Sequence, residues 1–264
     1  MDAAPSFSPL SSQPFLLILK TGDTHERLRA AQGDFEHWIE RGLRAGESPS
    51  AHVPLVVLDP RRGDRLPEPA QLAGVVISGS HAMVSDREAW SERSAEWLAG
   101  VVRAQVPVLG ICYGHQLLAR ALGGEAGNHP VGLELGTVQV RTTADAAHDP
   151  LLRELPTVFD AHVVHRQSAL RLPEGAVALA GNAFEPHQAF RAGGARAWGV
   201  QFHPEFDEAA MRGYIDEVAA ASPRGAAIAA DAQVRPTPHS ARLLARFAQL
   251  VGQGVAPAPA PCAA

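Results

Sequence analysis

The chain has 264 residues, and its 23 Lys and Arg against 28 Asp and Glu give a formal net charge of −5. Because phosphate binding needs clustered basic side chains, this balance excludes a protein built to bind nucleic acid. Hydrophobic residues make up 46% of the chain and charged residues 19%, which is enough apolar material for a sizeable core. No apolar run is long enough to span a bilayer, so we expect no membrane association.

Cysteine is scarce, with Cys112 and Cys262 as the two examples. This count excludes a disulfide framework and a metal cluster built from thiolates. The first 14 residues lack a basic region leading into an apolar stretch, so a secretory signal is not predicted. We therefore expect a cytoplasmic protein in which Cys112 is either a buried small hydrophobic residue or a nucleophile.

The middle of the chain alternates short apolar runs with longer amphipathic segments. Apolar runs without alternation predict strands covered on both faces, at 15–20, 54–58, 72–78 and 106–111. Apolar residues at helical spacing predict helices at 25–43, 86–103 and 114–122. This alternation predicts an α/β fold in which a mostly parallel sheet lies between two helical layers, a three-layer αβα sandwich.

The second half of the chain has a different character. Residues 131–200 are rich in β-forming residues separated by Pro and Gly, which predicts mixed and antiparallel strands that extend the sheet. Two helices, 207–220 and 239–249, follow, joined by a Pro-containing link. We expect one domain over 15–252, flanked by a disordered Ser/Pro-rich tail at 1–14 and a disordered Ala/Pro tail at 253–264.

The segment 106–124, VPVLGICYGHQLLARALGG, carries the most chemistry. An apolar strand leads to Cys112, and a helical segment begins at Gly114, so the cysteine lies at a strand-to-helix turn between Gly110 and Gly114. In a turn of this kind a strained backbone exposes a nucleophile above the sheet. The adjacent helix N-terminus favours the thiolate. The alternative is a buried structural cysteine, which is common for a lone Cys.

A nucleophile of this kind needs a base and a group to orient the base. In VQFHPEF, an apolar strand leads to His203 and then, one residue further on, to Glu205. Residues i and i+2 of an extended chain point to one side, so the carboxylate can reach the imidazole. Taken alone, His-Pro-Glu also fits a surface turn, but together with Cys112 it predicts a catalytic triad.

The tetrahedral intermediate of such a reaction needs hydrogen-bond donors for its oxyanion. A predicted strand ends in the loop ISGS, and backbone amides at Gly79 and Ser80 would face the crevice at the carboxyl ends of the strands. The amide of Tyr113, which follows the nucleophile, is a further donor by the elbow geometry. A lone SGS sequence also fits an ordinary loop.

Together, GICYGHQLLA, VQFHPEF and ISGS resemble the class I glutamine amidotransferases, which use a Cys-His-Glu triad; the amidotransferase domain of GMP synthetase is typical. The resemblance covers about residues 15–206, and the chain is similar in detail to stand-alone GMP-synthase-like members of the family. It implies a flavodoxin-like fold and hydrolysis of the glutamine side-chain amide through a thioester on Cys112. His203 would act as the base, Glu205 would orient it, and Gly79, Ser80 and Tyr113 would bind the oxyanion.

The resemblance also implies three substrate-binding residues. Gln116 matches a position that contacts the amino acid end of the substrate, and His165 and Gln167 match a family His-x-Asp segment. Gln167 replaces the usual acid, which would weaken recognition of a substrate ammonium group. Ser80 replaces a frequent second glycine, which leaves open which amide donates. No metal is expected, since His162 and His165 do not converge at their spacing and no third ligand is apparent. No cofactor is expected either.

Three functions remain open from the sequence. The first is a glutaminase that releases ammonia for a separate synthetase or acceptor protein. The second is a γ-glutamyl hydrolase or peptidase acting on other γ-glutamyl amides with the same triad, which the substitution at Gln167 favours. The third is a catalytically silent regulatory or binding protein of the same fold, against which the joint presence of Cys112, His203 and Glu205 argues.

Overall fold

A computed structural model describes residues 13–45 and 53–253. The predicted tails, 1–14 and 253–264, lie almost wholly outside these ranges. The strands are β1 (Phe15–Leu19), β2 (Leu55–Leu58), β3 (Leu72–Ile77), β4 (Val108–Ile111), β5 (Glu125–Asn128), β6 (Glu134–Thr142), β7 (Val158–His165), β8 (Gln167–Arg171), β9 (Val177–Gly181), β10 (Ala189–Arg191) and β11 (Ala197–Val200). The helices are α1 (Glu26–Gln32), α2 (Phe35–Leu43), α3 (Ala89–Arg103), α4 (Tyr113–Ala121), α5 (Glu208–Ala220), α6 (Gly225–Asp231) and α7 (Pro238–Gly252).

Within the described residues, nine strands form one mixed sheet in the order β2-β1-β3-β4-β11-β10-β9-β6-β7. The first five are parallel. The remaining neighbours pair antiparallel. A small second sheet pairs β5 with β8. The predicted α/β class is confirmed, with a flavodoxin-like parallel half and an antiparallel extension built from the β-rich second half.

Successive residues of β1 point to opposite faces of the sheet and so define the two outer layers. Leu16 belongs to a buried cluster with Ile39 of α2 and Phe247 of α7. Leu17 belongs to a second cluster with Leu98 of α3 and Leu117 of α4. Helices α2 and α7 therefore cover one face and α3 and α4 the other, which is the predicted αβα sandwich.

The predicted helix at 25–43 is in fact two helices, α1 and α2. Gly33 ends the first with φ at 86°, in the left-handed region that glycine favours. Asp34 then starts the second, because its carboxylate accepts from the backbone N–H of Phe35 and forms a capping box with His37. Amphipathic spacing alone did not reveal this break.

Three further differences concern the periphery. Strand β2 was predicted to be covered on both faces, but it lies at the edge of the sheet, and Val57 is 39% exposed. The predicted link between the last two helices contains α6. Helix α7 is longer than predicted and begins with Pro238 in its first turn, where a missing N–H is tolerated.

Across 13–45 and 53–253, none of the helices combines the length and apolarity that a membrane span requires.

Candidate active site

Cys112 lies in a strained turn between β4 and α4. Its φ of 50° and ψ of −99° are rare for a residue with a side chain. Two glycines make this turn sterically feasible. A Cβ on Gly110 would lie 2.3 Å from the carbonyl oxygen of Gly114, and one on Gly114 would lie 2.6 Å from that of Ile77. Helix α4 therefore packs directly against β3 and β4, as expected for an elbow that presents a nucleophile.

His203 and Glu205 follow β11, but in a turn rather than in an extended strand. The predicted pairing of the two side chains is observed, but a turn brings them together and not the alternation of an extended strand. His203 Nδ1 lies 2.7 Å from Glu205 Oε1, and both residues are buried. The backbone N–H of His203 donates to the carbonyl of His162 at 2.8 Å, which ties this turn to β7.

The imidazole of His203 is buried on every side. Its ring stacks on Phe206 with centroids 4.1 Å apart, and its Cε1 would lie 3.1 Å from a Cβ placed on Gly79. Burial alone would lower the pKa of His203, but the charges of Glu205 and of a Cys112 thiolate outweigh burial and raise it. Among the described residues, His203 Nε2 makes no hydrogen bond to a nitrogen or oxygen atom.

The loop after β3 contains Gly79 and Ser80, and Tyr113 begins α4. Within the described part of the chain, the backbone amides of these three residues donate to no protein acceptor. Ser80, Cys112 and Tyr113 line one cavity of about 230 Å³. Two or more free amides beside a nucleophile can stabilise an oxyanion that forms on a bound carbonyl group.

The wall opposite this loop contains the three predicted substrate-binding residues. Gln116, His165 and Gln167 all line the same cavity. The side-chain amide of Gln116 donates to the Gln167 carbonyl at 2.8 Å. The Gln167 side chain turns away, because its Nε2 donates to Ser85 Oγ and to Asn128 Oδ1. Gln167 therefore lines the cavity mainly with its backbone.

His165 is held by a buried charged network that the sequence analysis missed. Its Nε2 lies 2.8 Å from Glu134 Oε2, and its Nδ1 lies 3.0 Å from the Gln167 carbonyl. Both ring nitrogens therefore lie within hydrogen-bond distance of an oxygen atom. Glu134 also accepts from Asn182 at 2.7 Å and from Gln188 at 2.8 Å. The wall therefore rests on side chains from four separate segments.

The mouth of the cavity is lined by side chains from the start of α1, the loop after β3, and α5. His25, His81 and Tyr214 meet there, with the His25 and His81 ring centroids 4.4 Å apart. His81 Nε2 lies 3.2 Å from the Tyr214 hydroxyl, which also contacts Thr24 Oγ1 at 3.0 Å. Sequence spacing gave no indication of this cluster, because α5 reaches the mouth only through tertiary packing.

One signal for missed residues was present in the sequence. In parallel α/β sheets, polar residues directly after a strand lie at the edge where ligands bind. Thr21 follows β1 by two residues, and Ser78 follows β3 directly. Both are fully buried beside the Gly79 loop.

Among the residues that the structure describes, no group of three or more His, Cys, Asp or Glu side chains could hold a metal ion.

A family comparison agrees with this arrangement. Residues 32–216 match the model of the family described as glutamine amidotransferase class-I. This match spans well over half of the chain, and the chain therefore belongs to the class-I glutamine amidotransferase family. The resemblance that the cysteine, His-Pro-Glu and ISGS motifs indicated is confirmed.

Two relatives illustrate the range of the similarity. The glutamine-hydrolyzing GMP synthase of Aeropyrum pernix is 40% identical over 173 residues, which are 66% of this chain and 31% of that protein. A glutamine-hydrolyzing GMP synthase subunit from Methanothermobacter thermautotrophicus is 28% identical over 178 residues, which are 66% of this chain and 84% of that relative. The chain thus spans about a third of the length of the A. pernix relative.

Solved structures share the fold. A glutamine amidotransferase from Thermotoga maritima superimposes with a TM-score of 0.64 at 20% identity, covering 90% of this chain and 97% of that one. A glutamine amido transferase from Methylobacillus flagellatus gives 0.63 at 23% identity, with 91% and 93% covered. At these identities the likeness establishes the architecture alone.

Proposed function

We propose that this chain hydrolyses the side-chain amide of glutamine to glutamate and ammonia through a thioester on Cys112. The observation that carries the proposal is the buried pair of His203 and Glu205, which lies near enough to the strained Cys112 turn for the charge of the sulfur to raise the pKa of His203. Membership of the glutamine amidotransferase family supports this choice of substrate.

In the first half of the reaction, the Cys112 thiolate attacks the amide carbon of the substrate. The carbonyl oxygen becomes an oxyanion, for which the amides of Ser80, Gly79 and Tyr113 are the donors at hand. When the intermediate collapses, the carbon–nitrogen bond breaks and the His203 imidazolium donates a proton to the departing nitrogen. Ammonia leaves, and a γ-glutamyl thioester remains.

In the second half, His203 takes a proton from a water molecule, which attacks the thioester carbon. The same amides stabilise the second tetrahedral intermediate, and its collapse breaks the carbon–sulfur bond. Glutamate leaves, and the proton on His203 restores the thiolate–imidazolium pair. Throughout, Glu205 accepts the hydrogen bond from Nδ1 and holds the imidazole in one orientation.

We further propose that the ammonia passes to a separate synthetase protein. The support is the similarity to the GMP synthase subunit of M. thermautotrophicus, of which the chain covers 84%. If this is correct, a cognate synthetase should raise glutamine hydrolysis when both proteins are mixed.

A second candidate is a hydrolase for N-substituted γ-glutamyl amides. The observation that favours it is Gln167, an uncharged residue at the position where the family usually has an acid. Its side-chain amide carries no charge for a substrate ammonium group, and its Nε2 already donates to Ser85 and Asn128. Water would then be the sole acceptor of the γ-glutamyl group.

One experiment tests both candidates. Purified protein is incubated with glutamine and with a panel of γ-glutamyl amides, and glutamate is quantified alongside ammonia or the released amine. We expect Cys112→Ala to abolish turnover of every substrate, and mass spectrometry of the wild type to detect a γ-glutamyl adduct on Cys112. Turnover retained in Cys112→Ala would overturn the mechanism. A preference for substituted amides over glutamine would select the second candidate.

A further inference from the structure

We propose that Thr21 and Ser78 are positioning residues that aim the backbone N–H of Ser80 at the substrate oxyanion. The inference rests on the proposed function and extends it, because neither hydroxyl touches the reacting atoms. Both residues are fully buried, and both follow parallel strands at the edge where the site lies.

The two hydroxyls form a short hydrogen-bonded circuit with the backbone. The N–H of Thr21 donates to Ser78 Oγ at 2.9 Å, and Thr21 Oγ1 donates to the Ser78 carbonyl at 2.9 Å. Ser78 Oγ in turn donates to the Gly79 carbonyl at 2.9 Å, and Thr21 Oγ1 lies 3.2 Å from the same oxygen. The Gly79 carbonyl therefore accepts from Ser78, and the single proton of the Thr21 hydroxyl lies between the Ser78 and Gly79 carbonyls.

Fixing this carbonyl also fixes the next amide. Across the described ranges the backbone contains no cis peptide bond. In a trans peptide the C=O of one residue and the N–H of the next point in opposite directions. Because the Gly79 carbonyl faces Thr21 and Ser78, the Ser80 N–H points away from them, and Ser80 itself lines the cavity with Cys112.

Steric contacts support the same orientation. A Cβ on Gly22 would lie 2.5 Å from the Ser80 Cα and 2.9 Å from the Gly79 oxygen, so the Thr21–Gly22 backbone packs directly on this peptide. The His203 ring contacts Gly79 as well. The peptide is thus confined between the β1 loop and the base. These contacts assign the donor role to Ser80, which the sequence left undecided between Gly79 and Ser80.

The test compares Thr21→Val, which keeps the shape and removes the hydroxyl, with Thr21→Ser, which keeps the hydroxyl. We expect Thr21→Val to lower kcat about 10- to 100-fold with KM within about twofold of wild type, because the lost interaction belongs to the transition state. Thr21→Ser should recover most of the activity. Ser78→Ala should resemble Thr21→Val. The substrate is the best one from the γ-glutamyl panel.

Alkylation of Cys112 by iodoacetamide separates positioning from damage to the site. This displacement at carbon forms no oxyanion, so Thr21→Val should be alkylated at the wild-type rate despite its low kcat. Thr143→Val is the matched control: Thr143 also directs its hydroxyl at two carbonyls, those of Ala178 and Leu179, far from the site. It should keep wild-type kcat.

Wild-type kcat in both Thr21→Val and Ser78→Ala would overturn the positioning role, as would an equal loss of kcat and alkylation rate in folded variants. If Thr21→Val does not fold, Ser78→Ala and the Thr21→Ser comparison carry the test. Failure of the proposed function has a different signature, namely turnover that survives Cys112→Ala.

Discussion

His203 donates from Nδ1 to a carboxylate oxygen of Glu205 across 2.7 Å, and both side chains are buried. Burial opposes the charged imidazole, but the carboxylate charge, together with that of a Cys112 thiolate, holds the pKa of His203 above its ordinary value of 6.5. The imidazolium form should therefore persist to alkaline pH in the wild type, and its deprotonation should set an alkaline limb of the pH profile above neutrality.

Replacing Glu205 with Gln should lower kcat by about 10²- to 10⁴-fold, because the imidazole loses the charge that orients and stabilises it. The same change should lower the pKa of His203 and move the alkaline limb of the pH profile toward neutrality. Both effects are measured as kcat/KM against pH. Glu154→Gln is the control, since Glu154 pairs with Arg246 at an exposed position. An unchanged alkaline limb in Glu205→Gln would contradict this electrostatic coupling.

Replacing a glycine of the elbow by alanine should destabilise the protein, whereas the same replacement in a helix should stabilise it. Gly110→Ala would put a Cβ 2.3 Å from a backbone oxygen, and we expect it to cost about 2–4 kcal/mol of unfolding free energy and most of the activity. In α3, a Cβ on Gly100 meets only Arg103 Nη2 at 3.9 Å. Gly100→Ala should therefore stabilise the protein by about 0.5–1 kcal/mol.

Urea denaturation of both variants, with circular dichroism as the readout, measures these free energies. A Gly110→Ala protein as stable and active as wild type would show that the backbone at Cys112 relaxes freely, against the strained turn described above.

His115 lies on α4 near the nucleophile but is fully buried against Phe190 and Gly199. Within the described residues, neither ring nitrogen bonds to another side chain, and burial lowers the pKa of His115 to about 3. His115→Met should raise the unfolding free energy by about 1 kcal/mol at pH 7.5, since it removes a fully buried imidazole that no other side chain hydrogen-bonds.

The sign of the pH effect follows from linkage. Because the folded pKa of His115 lies below its ordinary 6.5, the unfolded chain binds more protons as pH falls from 6.5 toward 3. Wild-type stability therefore drops over this window, and the advantage of His115→Met should be larger at pH 5 than at pH 7.5. Denaturation at the two pH values measures the difference. A smaller advantage at pH 5 would argue that His115 is protonated in the folded protein.

Glu134→Gln should weaken the buried hydrogen bond between residue 134 and His165 Nε2. We expect a loss of about 1–3 kcal/mol in unfolding free energy and a KM increase of several-fold, because His165 and Gln167 line the same cavity as Cys112. Steady-state kinetics and thermal unfolding provide the two readouts. Glu125→Gln is the control, since Glu125 is exposed and lies 4.0 Å from Arg171. Unchanged KM would mean that the network stabilises the fold without shaping the wall.

The elbow could be predicted from sequence because its determinants are adjacent along the chain. Gly110, Cys112 and Gly114 lie within five residues, and their small size and order specify the turn. The alternating apolar runs likewise predicted the parallel strands and the two helical layers, because burial on both faces leaves a continuous hydrophobic signature.

The contacts that complete the site could not be predicted in this way. Thr21 meets Ser78 across 57 positions, and Glu134 meets His165 across 31. No local spacing encodes such pairs, since they depend on which strands become neighbours. The break at Gly33 and the helix α6 were missed for a related reason, because caps and short helices carry weak periodic signals.

The long hairpin of β6 and β7 has a consequence for folding. In the sheet β7 stands four strands beyond β11, yet its last residues return to Cys112 and to the turn that holds His203. One side of the pocket is therefore formed by β7, the strand that lies farthest in sheet order from β4, which leads to Cys112. Partly folded chains that have assembled only the parallel strands would have the elbow but no enclosing wall. Recovery of enzymatic turnover should consequently be among the last events of refolding, later than recovery of helical content.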